Sequence, residues 1–330
     1  MGYMIELQKC SDKNQWDEYI LEHGGHPLQL WGWGQVKSGH GWIAERVFAI
    51  DADKDDIIVG AAQILVRRLP LPFRSFAYIP RGPIVAASIQ DEFLESLATL
   101  VKRDHRSVVL SIEPDSFEFN VPVGWKKTQN KILSPETILL NLQKSESDLL
   151  ADMVKKTRQY IRKSAAEGIT IKQVRTRDEL EDCLHIYRQT AHRAKFNLHQ
   201  NQYYLDVFHL MGDHSPVFAA YLDEKPIAFL WMGISADTAY EMYGGMNEDG
   251  QRLRANYALK WHVIRKTKEW GLSKYDFGGL VVGGVSLFKQ GWCSVETSFA
   301  GTFDKPLSPL YVVWSKGLPK AKAIIQRIRR

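Results

Sequence analysis

Apolar and polar positions along the 330-residue chain change period several times, as expected for a protein that mixes strands with helices. A first helix is predicted at residues 12–23, where Asp12 is placed to cap the N-terminus. It is followed by a hairpin, a third strand, a helix and a fourth strand, which are predicted at residues 42–50, 57–66, 76–79, 91–103 and 107–112. The first half of the chain is therefore predicted to form a mixed α/β unit.

The second half repeats this order with different residues. One long helix is predicted over residues 148–167, because its apolar positions recur at steps of three and four and Gly168 follows as a C-cap. Further helices and strands are predicted at residues 177–194, 201–210, 217–222, 227–234, 238–243, 255–270 and 274–277. Beyond Pro306 we expect one more β-like run at residues 310–314 and a final basic helix.

The recurrence of hairpin, strand, helix and strand predicts an α/β protein of the α+β kind, with two structurally similar domains around mixed sheets. The length of the chain also favours a pair of cores. We place the first domain at residues 1–147 plus 306–330 and the second at residues 148–305.

The composition is that of an ordinary globular protein, with 45% hydrophobic and 25% charged residues. No apolar run approaches the roughly 20 residues needed to cross a bilayer, and no secretory leader is recognisable, so we expect a cytoplasmic protein. The 3 cysteines are far apart and odd in number, which argues against a disulfide framework. Motifs of zinc proteases, serine hydrolases and phosphate-binding loops are absent, so neither a metal nor a cofactor is expected.

The net charge of +5 is modest, but many basic residues are clustered. One cluster in the second half comprises Lys155, Lys156, Arg158, Arg162 and Lys163. Another ends the chain and comprises Lys316, Lys320, Lys322, Arg327, Arg329 and Arg330. Such clusters attract phosphates on nucleic acids, nucleotide-linked substrates or anionic lipids, although a solvated helix face has the same composition.

Several short segments match the pattern of one known family in order and spacing. They are Leu30–Lys37 with Gly41 and Trp42, Pro80–Pro83, Lys156–Gly168, Tyr243–Gly245, Tyr275–Gly279 and Leu287–Lys289. Together they resemble the Fem family of peptidoglycan-bridge aminoacyltransferases over nearly the whole chain. The resemblance implies two domains, each related to the GCN5-type N-acetyltransferases. The chain has no residues to spare for the long helical arm of some members, so it resembles the shorter type.

The resemblance also implies a reaction, in which a primary amine of a muropeptide stem attacks the ester carbonyl of aminoacyl-tRNA. The expected partners are an aminoacyl-tRNA donor and a UDP-linked or lipid-linked muropeptide acceptor, and the enzyme is expected to be a monomer. Residues 155–163 are the candidate for contact with tRNA or a membrane. The C-terminal basic cluster is a candidate for contact with tRNA or the inner membrane surface.

The candidate catalytic residues are Lys289 and Asp276. Lys289, next to Phe288 of the proposed substrate site, matches a family lysine, and its ammonium could offset the negative charge of a tetrahedral intermediate. A surface lysine lying along apolar residues is the alternative. Asp276 could orient an amine or accept its proton, but an aspartate before Gly278 is equally a turn residue.

Further substrate-binding residues follow from the resemblance. Lys37, with Ser38 beside it, matches a lysine that contacts the diphosphate of the precursor. Tyr203 and Tyr243 match substrate-contacting tyrosines, and core packing is their alternative role. His199 stands where some members carry a phosphate-binding arginine, which tilts the expectation toward a lipid-linked acceptor because neutral imidazole has no permanent charge.

Two other functions stay open from the sequence. An acyl-CoA-dependent N-acyltransferase would share the implied fold, but it cradles pyrophosphate on a glycine-containing loop at a helix start. The corresponding segment here, Arg252–Tyr257, has no glycine. A non-catalytic tRNA-binding or envelope-binding module is supported only by the basic clusters.

Overall fold

The computed structural model describes residues 5–52, 57–280, 284–293 and 295–317, the side chains of residues 284–286 excepted. The chain divides into two compact units. The first comprises Met1–Pro135 and Phe299–Arg330, and the second comprises Glu136–Ser298.

The first unit has an 8-stranded sheet. Strands and helices are numbered in chain order through both units. Its strands are β1 (Ile5–Lys9), β2 (Ile43–Asp51), β3 (Ile57–Arg68), β4 (Ser75–Pro80), β5 (Ile84–Val85), β6 (Ser107–Glu113), β7 (Lys126–Thr128) and β15 (Thr302–Pro306). Its helices are α1 (Lys13–Glu22), α2 (Trp31–Gly39) and α3 (Gln90–His105), with short 3-10 turns at Pro27–Gln29 and Ala87–Ile89. The N-terminus of α1 is capped by Asp12, as predicted.

The second unit has a 7-stranded sheet. Its strands are β8 (Glu136–Asn141), β9 (Thr170–Val174), β10 (Val217–Leu222), β11 (Lys225–Ser235), β12 (Thr238–Met246), β13 (Lys274–Asp276) and β14 (Glu296–Ser298). Its helices are α4 (Glu146–Asp152), α5 (Lys155–Ala165), α6 (Arg177–Ala194), α7 (Asn201–Met211), α8 (Glu248–Arg252), α9 (Ala255–Glu269) and α10 (Gly284–Gln290), with a 3-10 turn at Gly212–His214.

The two sheets have the same plan. The strand order is β1-β2-β3-β4-β6-β15-β7 in the first and β14-β8-β13-β12-β11-β10-β9 in the second. Each contains one parallel pair, β4 with β6 or β12 with β13, which has antiparallel strands on both sides. The parallel strands are joined through a helix, α3 or α9, whose apolar face packs on the sheet. The predicted class, two similar domains around mixed sheets, is confirmed.

The boundaries between the units differ from the predicted ones at residues 147 and 305. Strand β8 pairs with β13 and β14, so it belongs to the second sheet. Strand β15 pairs with β6 and β7, so it belongs to the first sheet. Pairing between strands distant in sequence decides both assignments, and no local pattern reveals it.

The long helix predicted at residues 148–167 is wrong, because the chain breaks it into α4 and α5. Met153 and Val154 are extended, and the N–H of Val154 donates to the carbonyl of Gly291 at 3.1 Å. The guanidinium of Arg158 donates to carbonyls at the end of α4, including that of Leu150 at 3.1 Å. The helical spacing of apolar residues continued across the break and hid it.

The β-like run predicted at residues 310–314 is also wrong, because residues 311–317 are helical. Leu310, Tyr311 and Trp314 recur at helical spacing and pack against a group that includes Val108 and Val109. The helix predicted to follow, with the basic residues from Lys320 onward, lies outside the described residues.

A buried carboxylate at the end of β6 holds together distant parts of the first unit. Glu113 accepts hydrogen bonds from the hydroxyls of Tyr78 and Thr302, the latter at 2.6 Å. It also accepts from the N–H groups of Ile132 at 2.9 Å and Leu133 at 3.1 Å. One side chain therefore ties β4, β15 and the segment that leaves the unit to the end of β6.

Replacing Glu113 with glutamine should destabilise the first unit by about 2–3 kcal/mol, because the new amide N–H faces buried donors that need an acceptor. The midpoint of urea unfolding measures the change. Glu118→Gln, an exposed position in the following loop, is the matched control and should stay within about 0.5 kcal/mol of the wild type. Equal midpoints for the two variants would contradict the role given to Glu113.

Candidate active site

The parallel strands of the second sheet pair over a short stretch and then part. Residues Thr238–Tyr240 of β12 pair with Lys274–Asp276 of β13, after which β12 continues while β13 ends. The chain turns away at Gly278, which has a φ of +68°. A Cβ there would lie 2.7 Å from the carbonyl oxygen of Glu241, so the close approach of the turn to β12 requires glycine.

The side chain of Lys289, on α10, extends to the point where β12 and β13 separate. Its ammonium donates to the carbonyls of Gly278 at 3.2 Å and Gly279 at 2.9 Å. Burial lowers the pKa of Lys289, while the nearby charges of Glu241 and Asp276 oppose that shift. An ammonium has three N–H groups, so two glycine carbonyls leave one for a ligand.

A buried ion pair lies beside Lys289 and was not predicted from the sequence. The ammonium of Lys260 pairs with the carboxylate of Glu241, and both side chains are at least 90% buried, with 6% and 10% exposure. Tyr275 donates to the same carboxylate at 2.7 Å. Burial lowers the pKa of Lys260 to about 8, Glu241 opposes the shift, and Lys289 adds to it. The two lysines and the glutamate therefore form one electrostatic group.

The sequence does carry a signal that could have identified Lys260. Lys260 precedes the buried Val263 and Ile264 by three and four residues, so it occupies the apolar face of the helix predicted at residues 255–270. A lysine on such a face needs a buried partner. The sequence gives no comparable signal for Glu241, because the alternation of apolar and polar residues along β12 does not indicate a pairing with a helix residue.

Asp276 lies in the same region but is engaged in holding the turn. It is 3% exposed, and its carboxylate accepts from the hydroxyl of Thr137 and from the N–H of Gly278 at 2.7 Å. These contacts match the alternative role of a turn residue. They also fix the glycine carbonyls to which Lys289 donates.

The structure brings together three predicted substrate-binding residues, His199, Tyr203 and Tyr243. The ring of His199 stacks on that of Tyr203 with centroids 4.0 Å apart, and the hydroxyls of Tyr203 and Tyr243 are hydrogen-bonded. Burial raises the pKa of Tyr203 to about 12, and it raises that of Tyr243 as well. Both phenols are therefore neutral near pH 7, and since one hydroxyl proton is used between them, the pair has one further O–H to donate.

The glycine-tryptophan signature of the first unit forms the start of α2. Gln63 of β3 donates to the carbonyls of Leu28 at 3.0 Å and Leu30 at 3.1 Å, which hold the turn before the helix. A Cβ at Gly34 would lie 2.2 Å from the side-chain oxygen of Gln63. Glycine is required there because the buried glutamine occupies the space.

Lys37 is half-buried near the end of α2. Its ammonium lies 4.4 Å from the ring centroid of Trp33, and the guanidinium of Arg46 lies 3.6 Å from that of Trp31. Burial lowers the pKa of Lys37 to about 8, and the positive charge of Arg67 adds to the shift. Ser38 is exposed beside it. Both tryptophans thus pack against cations of the first unit.

The first basic cluster is exposed except at one residue. Lys155, Lys156, Arg162 and Lys163 face solvent along α5. Arg158 instead binds the carbonyls that end α4, so its guanidinium is occupied by the fold.

The segment before α9 lacks the open backbone of a CoA-binding loop. Arg254 adopts a left-handed conformation with a φ of +55°, and its guanidinium lies 4.6 Å from the ring centroid of Tyr160. Tyr257 packs in the first turn of the helix against Phe288, with centroids 5.0 Å apart. Side chains therefore crowd the helix start.

Within the described residues, no group of three or more histidine, cysteine, aspartate or glutamate side chains could hold a metal ion. In the same part of the chain, no helix is long and apolar enough to span a bilayer.

The fold defines a protein with two tandem domains of the acetyltransferase (GNAT) kind. In the second domain, a half-buried lysine lies where β12 and β13 separate. A sequence model described as an acetyltransferase (GNAT) domain matches residues 151–290, and the FemAB family model matches residues 12–131. The crystal structure of FemX superposes with a TM-score of 0.83 at 17% identity, covering 94% of this chain and 100% of that one. A tandem GNAT protein from the clavulanic acid pathway has a TM-score of 0.55 at 11% identity, covering 93% and 99%.

Curated relatives agree with this class. The lipid II:glycine glycyltransferase of Staphylococcus saprophyticus is 22% identical over 95% of this chain and 97% of its own length. That of a Staphylococcus aureus strain is 25% identical over 97% and 99%. The chain is thus similar to members of the Fem family over nearly its whole length. The first alignment extends over 410 positions, more than the 330 residues here, so that relative carries segments without a counterpart in this chain. In the second unit as described, α5 leads to β9 without a helical arm.

Removing one member of the buried pair should be more harmful than removing both. Lys260→Met leaves the carboxylate of Glu241 buried without its cation and should lower the unfolding free energy by about 3–5 kcal/mol. The double variant Lys260→Met/Glu241→Gln should recover much of this loss. Lys266→Met on the same helix, whose pair with Glu269 is exposed, is the control and should cost under about 1 kcal/mol. Urea unfolding measures these variants together with Glu241→Gln alone, and simple additivity of the two single changes would count against a coupled pair.

Proposed function

We propose that this chain transfers an amino acid from aminoacyl-tRNA to the stem-peptide amine of a peptidoglycan precursor during formation of an interpeptide bridge. The observation that carries the proposal is the ammonium of Lys289, held by glycine carbonyls at the parting of β12 and β13. The named activity of the glycyltransferase relatives supports the same class of reaction.

In the proposed reaction the amine nitrogen attacks the ester carbonyl, and a tetrahedral intermediate forms. When this intermediate collapses, the new C–N bond remains and the C–O bond to the ribose breaks. The proton lost by the amine goes to the leaving ribose oxygen. Lys289 stabilises the oxyanion through its remaining N–H group. Asp276 acts as a positioning residue, because it fixes the turn that carries the carbonyl of Gly278.

Lys37 is proposed to bind the diphosphate of the acceptor, and the hydrogen-bonded pair of Tyr203 and Tyr243 is proposed to contact the muropeptide. A lipid-linked acceptor is favoured over a UDP-linked one, since the relatives are named for lipid II and His199 supplies no permanent charge. A cytoplasmic location belongs to the same proposal and is supported by the family resemblance.

Lys289→Ala should lower kcat by about 100- to 1,000-fold, the range for loss of one donor to a developing oxyanion. The assay follows label from a mixed pool of charged tRNAs into lipid-linked and UDP-linked muropeptides. Lys266→Ala, an exposed lysine of α9, is the control and should retain wild-type activity. Turnover of acetyl-CoA with no transfer from tRNA would favour the acyl-CoA function instead.

Binding of the acceptor should weaken as pH rises through about 8. The ammonium of Lys37 has a lowered pKa of about 8, so it is charged below that pH and becomes neutral above it. Lys37→Arg stays charged over the whole range and should remove this pH dependence. Calorimetric titration with the acceptor from about pH 7 to about pH 9.5 measures it. Parallel pH profiles for wild type and variant would exclude Lys37 as the diphosphate ligand.

The exposed lysines and arginine of α5 are proposed to contact tRNA. Reversing charge at Lys156 and Arg162 should raise KM for aminoacyl-tRNA and reduce the slope of log KM against log salt by about 1 for each tRNA phosphate that is no longer neutralised. Lys13→Glu, at an exposed position on α1, is a control for net charge. An unchanged salt slope would remove this assignment.

A further inference from the structure

A second cation, Arg67, lies near Lys37 in the first unit, and the function proposed above gives it no role. We propose that Arg67 and Lys37 together bind the two phosphoryl groups of a diphosphate ester, and that Trp42 is a positioning residue for both cations. The inference rests on the role proposed above for Lys37. It adds Arg67 and Trp42 to that site.

Arg67 projects from the sheet face that α2 covers. Side chains alternate along a strand, so Arg67 lies on the same face of β3 as Gln63, four residues earlier. Gln63 donates to the carbonyls of Leu28 and Leu30 in the turn before α2. Lys37 lies near the end of that helix. Burial lowers the pKa of Lys37, and the nearby positive charge of Arg67 lowers it further, so the two cations are neighbours on one face.

Trp42 connects the two cations. Its N–H donates to the carbonyl of Lys37 at 3.2 Å, which fixes the turn after α2. The guanidinium of Arg67 lies 5.4 Å from the centroid of the Trp42 ring, within the range of a cation–π contact. Phe76, opposite Arg67 in the pairing of β3 with β4, packs edge-on against the same ring, with centroids 6.2 Å apart. The ring is therefore held from two sides, and it restricts the positions open to the guanidinium.

The guanidinium of Arg67 has donors available for a ligand. Arg67 is exposed, and within the described residues its guanidinium contacts the ring of Trp42 without forming an ion pair. Its five N–H groups form a planar fork that matches the oxygens of a phosphate. Lys37 adds a compact cation that suits a contact with a second phosphoryl group.

The segments that carry these cations contain no acidic residue. Neither residues 23–44 nor residues 57–90 include an aspartate or a glutamate. Glu45 follows the first of these segments but projects from the opposite face of β2, because its neighbour Arg46 donates to the carbonyl of Trp31 in α2. Two like charges held close together repel each other, and an anion that binds both removes the repulsion. The charge pattern therefore favours an anionic ligand.

A diphosphate fits these two cations better than other anions do. The guanidinium can bind one phosphoryl group through two N–H groups, while the ammonium binds the next. A carboxylate or a single phosphate has only one anionic group to share between them. Successive phosphates of a nucleic acid strand are separated by a sugar, so they present less charge at one place. The diphosphate ester is therefore the ligand class that uses both cations.

The experiment is calorimetric titration of the full chain with inorganic pyrophosphate and with orthophosphate at about pH 7. The wild type should bind pyrophosphate at least about tenfold more tightly than orthophosphate. Arg67→Gln should weaken pyrophosphate binding by about tenfold or more and remove most of this preference. Arg68→Gln is the matched control, because it removes the same charge at an exposed position on the opposite face of β3. It should bind pyrophosphate within about twofold of the wild type.

The role of Trp42 is tested by a double-mutant cycle. Trp42→Leu should weaken pyrophosphate binding by about two- to fivefold, since the cation–π contact is lost, and Trp42→Phe should retain most of the affinity. In the Arg67→Gln background, Trp42→Leu should have no further effect, because the ring acts through the guanidinium. Equal losses in both backgrounds would reject this role. Thermal unfolding by circular dichroism confirms that each variant is folded.

Wild-type protein that does not bind pyrophosphate, or Arg67→Gln protein that binds it as tightly as Arg68→Gln, would overturn the proposal. So would binding of single-stranded RNA that depends on Arg67 while binding of pyrophosphate does not.

The transfer assay, run in parallel, separates this inference from the proposed reaction. Arg67→Gln should raise KM for the acceptor by about tenfold and leave kcat unchanged. Transfer with an unchanged KM would keep the reaction and reject the role of Arg67. Pyrophosphate binding that depends on Arg67, without any transfer, would reject the reaction and keep the anion site.

Discussion

The early end of the pairing between β12 and β13 is the constraint on which the candidate active site depends. Once β13 stops at Asp276, the carbonyls of Gly278 and Gly279 are no longer taken up by a neighbouring strand, and buried backbone groups need partners. Lys289 donates to both carbonyls, and the hydroxyl of Thr137 also donates to that of Gly278 at 3.1 Å. The hydrogen bonds that satisfy these backbone carbonyls therefore also hold the ammonium of Lys289 at the place where the two strands separate.

The first unit meets the same constraint with different side chains. At the end of its parallel pair, Glu113 accepts from Thr302 of β15, much as Asp276 accepts from Thr137 of β8. In the first unit the carboxylate also accepts hydrogen bonds from backbone N–H groups and holds segments of the fold together. In the second it positions the turn beside Lys289. A shared fold thus carries distinct chemistry, because function depends on the side chains placed at the opening.

The buried pair of Lys260 and Glu241 explains how a half-buried lysine can be kept next to other charges. Glu241 offsets part of the loss of hydration of both ammonium groups, while the positive charge of Lys289 lowers the pKa of Lys260 further. Tyr275 completes the set by donating to the same carboxylate. The charge on Lys289 is thus a property of the group and not of one residue.

The sequence by itself determined most of the elements, the duplicated order and the resemblance that singled out Lys289, because hydrophobic period and short motifs are local. It did not reveal the break at Met153 and Val154, since the apolar spacing runs through it. Tertiary structure decided which sheet receives β8 and β15, and it decided that Lys260 meets Glu241. These outcomes depend on contacts between residues far apart in sequence, and such contacts leave no periodic signal along the chain.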